Sequence, residues 1–275
     1  MIELEGYNIL KKAHEGGVSV IYHASDKEGK EVAIKVLKIE FRKRRDVYLD
    51  FWREGEILYR LHHPYIIKIY ELRRTPLMIL EWVEGKNLKN ILMRQRIEIS
   101  ENFFSLAWKI GEAINYLHTH GILHNDIKPE NIMVSHQGEI KLIDFGLATR
   151  KKRFFFKRKT KGTPIYIAPE VLSKGKFSEK SDVFSYGVLL YEMITKRVPY
   201  EAESIPGLLR KKNNQKVRAH PPSFYNPWVP PSLDALILSA IHREPKKRPH
   251  ISKLLLDLGR VAWGKIDRAI EWREI

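Results

Sequence analysis

One stretch, His124-Asn125-Asp126-Ile127-Lys128-Pro129-Glu130-Asn131, fixes a carboxylate, an ammonium and a carboxamide within six residues. A second carboxylate, Asp144 of Asp144-Phe145-Gly146, follows thirteen residues after the asparagine. Phosphoryl transfer needs such a set: Asp126 to accept the proton of an incoming hydroxyl, Lys128 to neutralise the transferring group, Asn131 and Asp144 to hold magnesium against the phosphates. Alone, Asp-Phe-Gly is an ordinary turn sequence. The two stretches in order make the stronger signal, with Ile140-Lys141-Leu142-Ile143 reading as the short strand that delivers Asp144.

The elements that must position these groups are legible from periodicity. Tyr7-Asn8-Ile9-Leu10, Val18 to Ala24 and Glu31 to Val36 carry the β-branched, aromatic or alternating pattern of strands, with Asp26-Lys27-Glu28-Gly29 as a turn. His14-Glu15-Gly16-Gly17-Val18-Ser19 reads as a hairpin, and Lys35 on its alternating strand reads equally as a solvated edge residue. From about Arg45 to Arg60 the sequence predicts a helix with Leu49, Trp52, Glu56 and Tyr59 on one stripe, stopped near Pro64. Leu77-Met78-Ile79-Leu80 is an apolar strand running into the connector Glu81-Trp82-Val83-Glu84-Gly85.

The remainder reads as helical. Ser100 caps a helix with Ala107, Ile110, Ile114 and Leu117 on one face, ended by His118-Thr119-His120-Gly121. Ser181-Asp182 opens a helix through Met193 that is apolar on nearly every side. Asn213 to Pro231 predicts a surface loop pinned by Phe224, Tyr225 and Trp228. Helix resumes at Leu233, and the final twenty-five residues predict a helix packing through Leu254, Leu258, Val261, Ile266 and Ile270.

With 275 residues, 43% hydrophobic and 30% charged, the chain suits two lobes with substantial cores. The absence of cysteine excludes disulfides, thiolate zinc sites and cysteine nucleophiles. Neither a cleavable leader nor a transmembrane-length apolar run is seen, so the expectation is a soluble cytoplasmic protein. A formal charge of +16 fits an acidic protein or anionic surface as partner, or simply a solvated basic surface. No stacking platform accompanies the basic runs, so no specific nucleic acid is expected. His118, His120 and His124 lack a fourth ligand at sensible spacing for a metal.

The His124 to Asn131 and Asp144 to Gly146 stretches, taken together, resemble the catalytic and metal-binding loops of the eukaryotic-type (Hanks-type) serine/threonine protein kinase family. The resemblance covers roughly residues 7 to 258. It implies an α+β, two-lobed fold forming one domain over 1–275: a β-rich lobe over 1–80 with one main helix, a hinge at 81–85 and a helical lobe over 86–275. It further implies that ATP binds with magnesium, or manganese, and that protein Ser/Thr hydroxyls are the acceptors. Lys35 of Val32-Ala33-Ile34-Lys35 matches the phosphate-pairing lysine. Glu54, by its register to Pro64, matches that lysine's partner, with Glu56 as fallback. The stretch His14, Glu15, Gly16, Gly17, Val18, Ser19 matches the glycine-rich phosphate loop. Leu80, the Glu81 carbonyl and the Val83 backbone match the adenine edge, and Ile21, Ala33 and Met133 match its apolar faces. His124, Phe145, Leu58 and Ile69 match an apolar column joining the lobes, anchored by Asp182.

Lys151 to Lys161 holds seven basic residues in eleven around three phenylalanines, and Gly162 to Glu170 closes it. The pair resembles an activation segment and its anchor, with Glu170 pairing with Arg248 and Thr163 bridging Asp126 and Lys128. The basic run is either a docking surface for an acidic partner or anionic surface, or a loop whose rings tuck onto the protein. Two departures stand out. His14 and Ser19 replace the first and last glycines of the phosphate loop, and Asn125 replaces the arginine that grips a phosphorylated residue such as Thr160. A nucleotide-binding docking module without transfer activity, or a small-molecule kinase, are the competing readings.

Overall fold

The computed structural model describes residues 6–94, 97–150, 164–214 and 216–271, with side chains as far as Gly264. The first part is a five-stranded antiparallel sheet in the order β1-β2-β3-β5-β4, with β1 Tyr7–Glu15, β2 Ser19–Asp26, β3 Glu31–Leu37, β4 Ile69–Arg73 and β5 Leu77–Glu81. Strand alternation divides its side chains between two faces. Ala24, Val32, Ile34, Leu77 and Ile79 form a small outer core with Tyr7, Ile9 and Tyr22. Opposed residues share a face, so the pairs Ile21–Lys35, Lys35–Met78 and Ala33–Leu80 put Ile21, Ala33, Lys35, Met78 and Leu80 together on the inner face. β1 is longer than the predicted Tyr7–Leu10 and carries two register shifts. Lys11 and Lys12 lie exposed along this edge, where lysines discourage pairing with another chain.

Helices α1 (Ile39–Arg42) and α2 (Arg45–Leu58) follow β3. The predicted stripe on α2 is wrong: Leu49 is 38% and Tyr59 62% exposed, and Glu56 is exposed. Its buried residues are Phe51, Glu54, Gly55, Ile57 and Leu58. Gly55 is required by close approach, since a Cβ there would meet Leu72 of β4 at 2.7 Å.

The second part is mainly helical: α3 Leu88–Arg94, α4 Glu101–Thr119, α5 Pro169–Lys174, α6 Glu179–Thr195, α7 Ile205–Asn213, α8 Pro231–Ala240 and α9 Ile251–Glu271. α6 is buried from Ser181 to Ile194, as a central apolar helix must be. Around it pack α4, through Ala107, Ile110, Ile114 and Leu117, and α8, while α9 packs on α4 and α8, with Leu254 and Leu258 buried in the same core. Each such Leu or Ile contributes about 1.5–3 kcal/mol by leaving water. Ser100 sits at the N-cap of α4, yet its hydroxyl donates to Glu98 O at 3.3 Å and makes no cap bond. α6 starts earlier than expected because Ser178 and Ser181 form a reciprocal cap. α7 lies just before a stretch read as loop. Within that stretch Phe224 and Trp228 are 64% and 79% exposed and do not pin it. The buried anchor is Asn226, whose amide donates to Ile194 O at 3.1 Å, while Tyr225 rests edge-on against Tyr191. The side chains of Ile266 and Ile270 lie outside the described residues. Among the described residues no helix is long and apolar enough to cross a membrane.

Short strands mount the chemistry between these parts. β6 Gly85–Asn87, β8 Ile132–Ser135 and β9 Ile140–Leu142 form one small sheet, and β7 Ile122–Leu123 pairs with β10 Thr149–Arg150.

Candidate active site

β7 and β8 bracket the loop that carries Asp126. Asp182, buried in the first turn of α6, accepts the His124 N–H at 3.0 Å and the Asn125 N–H at 2.9 Å, and also bonds His118 at 2.9 Å. A buried carboxylate taking several bonds at once fixes a loop more firmly than neutral acceptors do. Asn125 adopts φ 66° and Asp144 φ 61°, left-handed conformations that Asn and Asp tolerate better than most side chains. The His124 ring is held neutral, because burial pushes its pKa down against the pull of Asp182 and Asp126. Its edge meets Phe145 with ring centres 4.8 Å apart, and Leu58 and Ile69 lie buried in the same core.

Two polar clusters converge here. In the first, Asp126 Oδ2 accepts Lys128 Nζ at 2.7 Å and Asn131 Nδ2 at 2.8 Å. That leaves Asp126 Oδ1 without a partner among the described residues. In the second, Lys35 Nζ lies 2.6 Å from Glu54 and 3.7 Å from Asp144. Burial alone would lower the Lys35 pKa, but the two carboxylates outweigh it and keep the ammonium charged. Burial likewise opposes ionisation of Asp144, yet Lys35 and the Gly146 N–H bring it below the ordinary carboxylate range. The Ile143 N–H donates to Asn131 O at 2.8 Å and joins the clusters by placing Asp144 one residue beyond the Asn131 turn. Glu54, not Glu56, faces Lys35.

This donor set suits a hard divalent cation. The Asn131 amide nitrogen is spent on Asp126 O and Oδ2, which leaves the carboxamide oxygen for a metal, and Asp144 supplies an ionised carboxylate.

Above these groups, His14 and Glu15 end β1 and Ser19 begins β2, so the turn itself is Gly16-Gly17-Val18. The Gly16 N–H is used within the turn, donating to Ser19 O at 2.9 Å, whereas the Gly17 and Val18 amides have no partner among the described residues. His14 is exposed and Ser19 buried. Lys12 at 2.8 Å and Lys38 at 2.9 Å hold the Glu15 carboxyl down to about 2, which neutralises an acid beside the turn. Ile21, Ala33 and Leu80 share the sheet face with Lys35, as described, and Met133 on β8 stands opposite Asn87. Glu81 ends β5, its side chain 2.9 Å from Lys141. Trp82 of the connector stacks on His23 with ring centres 3.7 Å apart, and Val83 is half-buried. Thr163, Thr160 and the basic run 151–161 lie outside the described residues.

Three arrangements had no sequence signal beyond their residue types. The Asn125 carboxamide donates to Leu147 O at 2.9 Å and Thr149 Oγ1 at 3.0 Å, so it ties down the chain after Gly146 with no phosphate involved. Buried Glu192 bonds Tyr166 and pairs with Lys89 at 2.8 Å. Lys212 is fully buried. The expected anchor is in place: Arg248 grips Glu170 through two bonds of 2.7 and 2.8 Å.

A family model described as the protein kinase domain matches residues 7–257. A probable serine/threonine-protein kinase of Clostridium acetobutylicum is 33% identical over 258 residues, covering 91% of this chain and 39% of that protein. The serine/threonine-protein kinase PrkC of Bacillus subtilis is 32% identical over 250 residues, covering 88% and 38%. PknB of Mycolicibacterium smegmatis, also a serine/threonine-protein kinase, is 31% identical over 265 residues, covering 91% and 42%. The chain belongs to the protein kinase family. It spans about two fifths of the length of these relatives.

Proposed function

We propose that this chain is an ATP-dependent protein kinase acting on Ser and Thr hydroxyls. The observation that carries the reading is the joining of Asp126, Lys128 and Asn131 in one hydrogen-bonded cluster to the Lys35, Glu54 and Asp144 chain. Asp126 positions the acceptor hydroxyl and takes its proton late, as the oxygen bonds the γ-phosphorus and the bond to the β–γ bridging oxygen breaks. Lys128 offsets charge on the transferring group, and Lys35, held by Glu54, pairs with the α and β phosphates. Magnesium, or manganese, bound by Asn131 and Asp144 would supply neutralisation of phosphate charge. The adenine ring would lie between Ile21 and Ala33 on one side and Met133 on the other, against Leu80, with its edge on the Glu81 and Val83 backbone. The phosphates would lie under residues 14–19, met by the Gly17 and Val18 amides. By the family resemblance Thr163 would steady Asp126 and Lys128. In this reading 1–80 and 86–275 are the two lobes, 81–85 the hinge, and the cytoplasm, where ATP is supplied, the site of action. The basic run 151–161 would serve as a docking surface for an acidic protein partner or an anionic surface. Because Asn125 already holds the following chain, phosphate on Thr160 would modulate activity without licensing it.

The Ser/Thr assignment draws on the relatives' names and on Lys128. It is tested by supplying labelled ATP, magnesium and dephosphorylated casein, then hydrolysing the product to phosphoamino acids. Phosphoserine and phosphothreonine are expected, and phosphotyrosine as sole product would overturn the assignment. ATP binding with no transfer to any protein would favour the docking module, and transfer to sugars or aminoglycosides alone the small-molecule kinase.

The ion pair gives a further expectation. Lys35→Met or Glu54→Gln should lower transfer on the order of 10²–10³-fold, because preorganised charge at the phosphates is lost. Each single variant also leaves a buried charge without its closest partner, so urea midpoints should fall as well, by the equivalent of about 3–5 kcal/mol, and the double variant Lys35→Met/Glu54→Gln should recover part of that stability but none of the transfer. Equal losses of activity and folded fraction would count against a catalytic role for the pair.

A further inference from the structure

The stretch from Ser204 to Leu233 carries no aspartate or glutamate against five basic residues, Arg210, Lys211, Lys212, Lys216 and Arg218. Lys212 is buried, its ammonium turned onto the Pro164, Ile165 and Ile167 carbonyls. The other four are exposed, and Arg197, just past the end of α6, adds a further cation, its guanidinium 5.0 Å from the centre of the Tyr225 ring. In the same stretch Phe224 is exposed, and Trp228 is more exposed than any other large apolar side chain among the described residues. Phe224 stacks on His220 with ring centres 4.5 Å apart, and Tyr225 meets both rings edge-on. The backbone beneath them is fastened. The Tyr191 hydroxyl donates to His220 O at 3.0 Å, the Ser223 N–H to buried Asp234 at 2.9 Å and the Asn226 amide to Ile194 O at 3.1 Å. These rings therefore face water on a loop that holds its shape, and the nearest preceding acids, Glu201 and Glu203, lie ahead of α7.

Positive charge of this kind attracts any polyanion, and the rings select among them. The face of an aromatic ring carries partial negative charge, so the carboxylates of an acidic polypeptide gain nothing there. Unpaired nucleobases do gain, because every base has a flat π face that stacks on Phe or Trp whatever its identity. In a duplex those faces are already covered by neighbouring base pairs. We infer that this surface binds single-stranded nucleic acid without sequence preference, with bases stacked on Phe224 and Trp228 and phosphates met by Arg197, Lys216 and Arg218. The platform is not legible in the sequence, where the same rings read as pins for the loop. Asn226 fastens the loop at Ile194, which lies about 18 Å along the α6 axis from Asp182, so a bound strand leaves Asp126 free. Its binding uses no catalytic residue and does not depend on the kinase reading.

The test is fluorescence anisotropy with labelled oligouridine and oligothymidine strands of about 16 nucleotides, enough to span one such site. Both should bind the unmodified protein. Phe224→Ala and Trp228→Ala should each raise the Kd about tenfold, the scale of one lost base stack, and leave the salt dependence unchanged. Arg218→Gln should instead lower the slope of log Kd against log salt by about 0.7, the share of one phosphate contact on a single strand. Both ring variants replace exposed side chains and should keep a cooperative melting transition. Ring variants that bind as tightly as the unmodified protein would overturn the assignment, since charge alone would then hold the strand. Absence of binding by the unmodified protein would also overturn it. A duplex or polyglutamate bound as tightly as the single strands, with the same loss in the ring variants, would give the surface to that partner instead.

Discussion

Asp126→Asn should lower phosphate transfer by about 10²–10⁴-fold, the range that a positioned proton acceptor contributes, while the Kd for MgATP stays within about twofold. The local geometry explains the split. Lys128 and Asn131 both donate to one oxygen of Asp126, so an asparagine would turn its single carbonyl oxygen toward them. Its amide would then face the acceptor hydroxyl, which it can neither align by accepting a bond nor deprotonate. The phosphate-facing groups Lys35, Glu54 and Asp144 meet the Asp126 cluster only through the backbone bond from Ile143 to Asn131 and would keep their arrangement. Isothermal titration with MgATP and a transfer assay on the same preparation check both halves. A matching loss of nucleotide affinity would mean that Asp126 supports the ATP site instead.

A large stability effect is expected from Glu170→Ala, a loss of about 3–5 kcal/mol, the cost of removing one partner from a buried ion pair. The Arg248 guanidinium is fully buried and also donates to Lys180 O at 2.8 Å and Arg243 O at 3.1 Å. Without Glu170 its charge would stay in the interior, held by neutral carbonyls and the face of Phe184. The double variant Glu170→Ala/Arg248→Met should recover part of the loss, because no bare cation remains. Equilibrium urea unfolding measures both, and a change under about 1 kcal/mol for Glu170→Ala would place the pair with weak surface ion pairs.

The site was more legible in the sequence than the surfaces that build it. Asp126, Lys128, Asn131 and Asp144 stand in short stretches whose spacing is dictated by chemistry, and Glu54 could be placed by register. The face of α2 could not be read from apolar periodicity, because its buried side includes Glu54 and Gly55. One is there to meet Lys35 and the other to let Leu72 approach. Leu49 and Tyr59 made an apolar stripe that faces water. α7 is not legible as a helix in the sequence, where Pro206 and Gly207 argue against one. In fact Pro206 lies at its first turn, and Ser204 accepts the Gly207 N–H at 3.2 Å. The aromatic rings of the loop before α8 suggest that they hold it, yet Asn226 secures it through a bond to a backbone carbonyl that no pattern reveals. Lys211 and Lys212 are identical in sequence terms; only the carbonyls of 164–167 distinguish the exposed one from the buried one.

The central claim is that this cluster transfers the γ-phosphate of ATP to protein. It is met most directly by incubating the unmodified protein and Asp126→Asn with γ-labelled ATP, magnesium and casein, and counting label in protein. The account predicts magnesium-dependent incorporation by the unmodified protein and almost none by the variant. Equal incorporation by the two would contradict it.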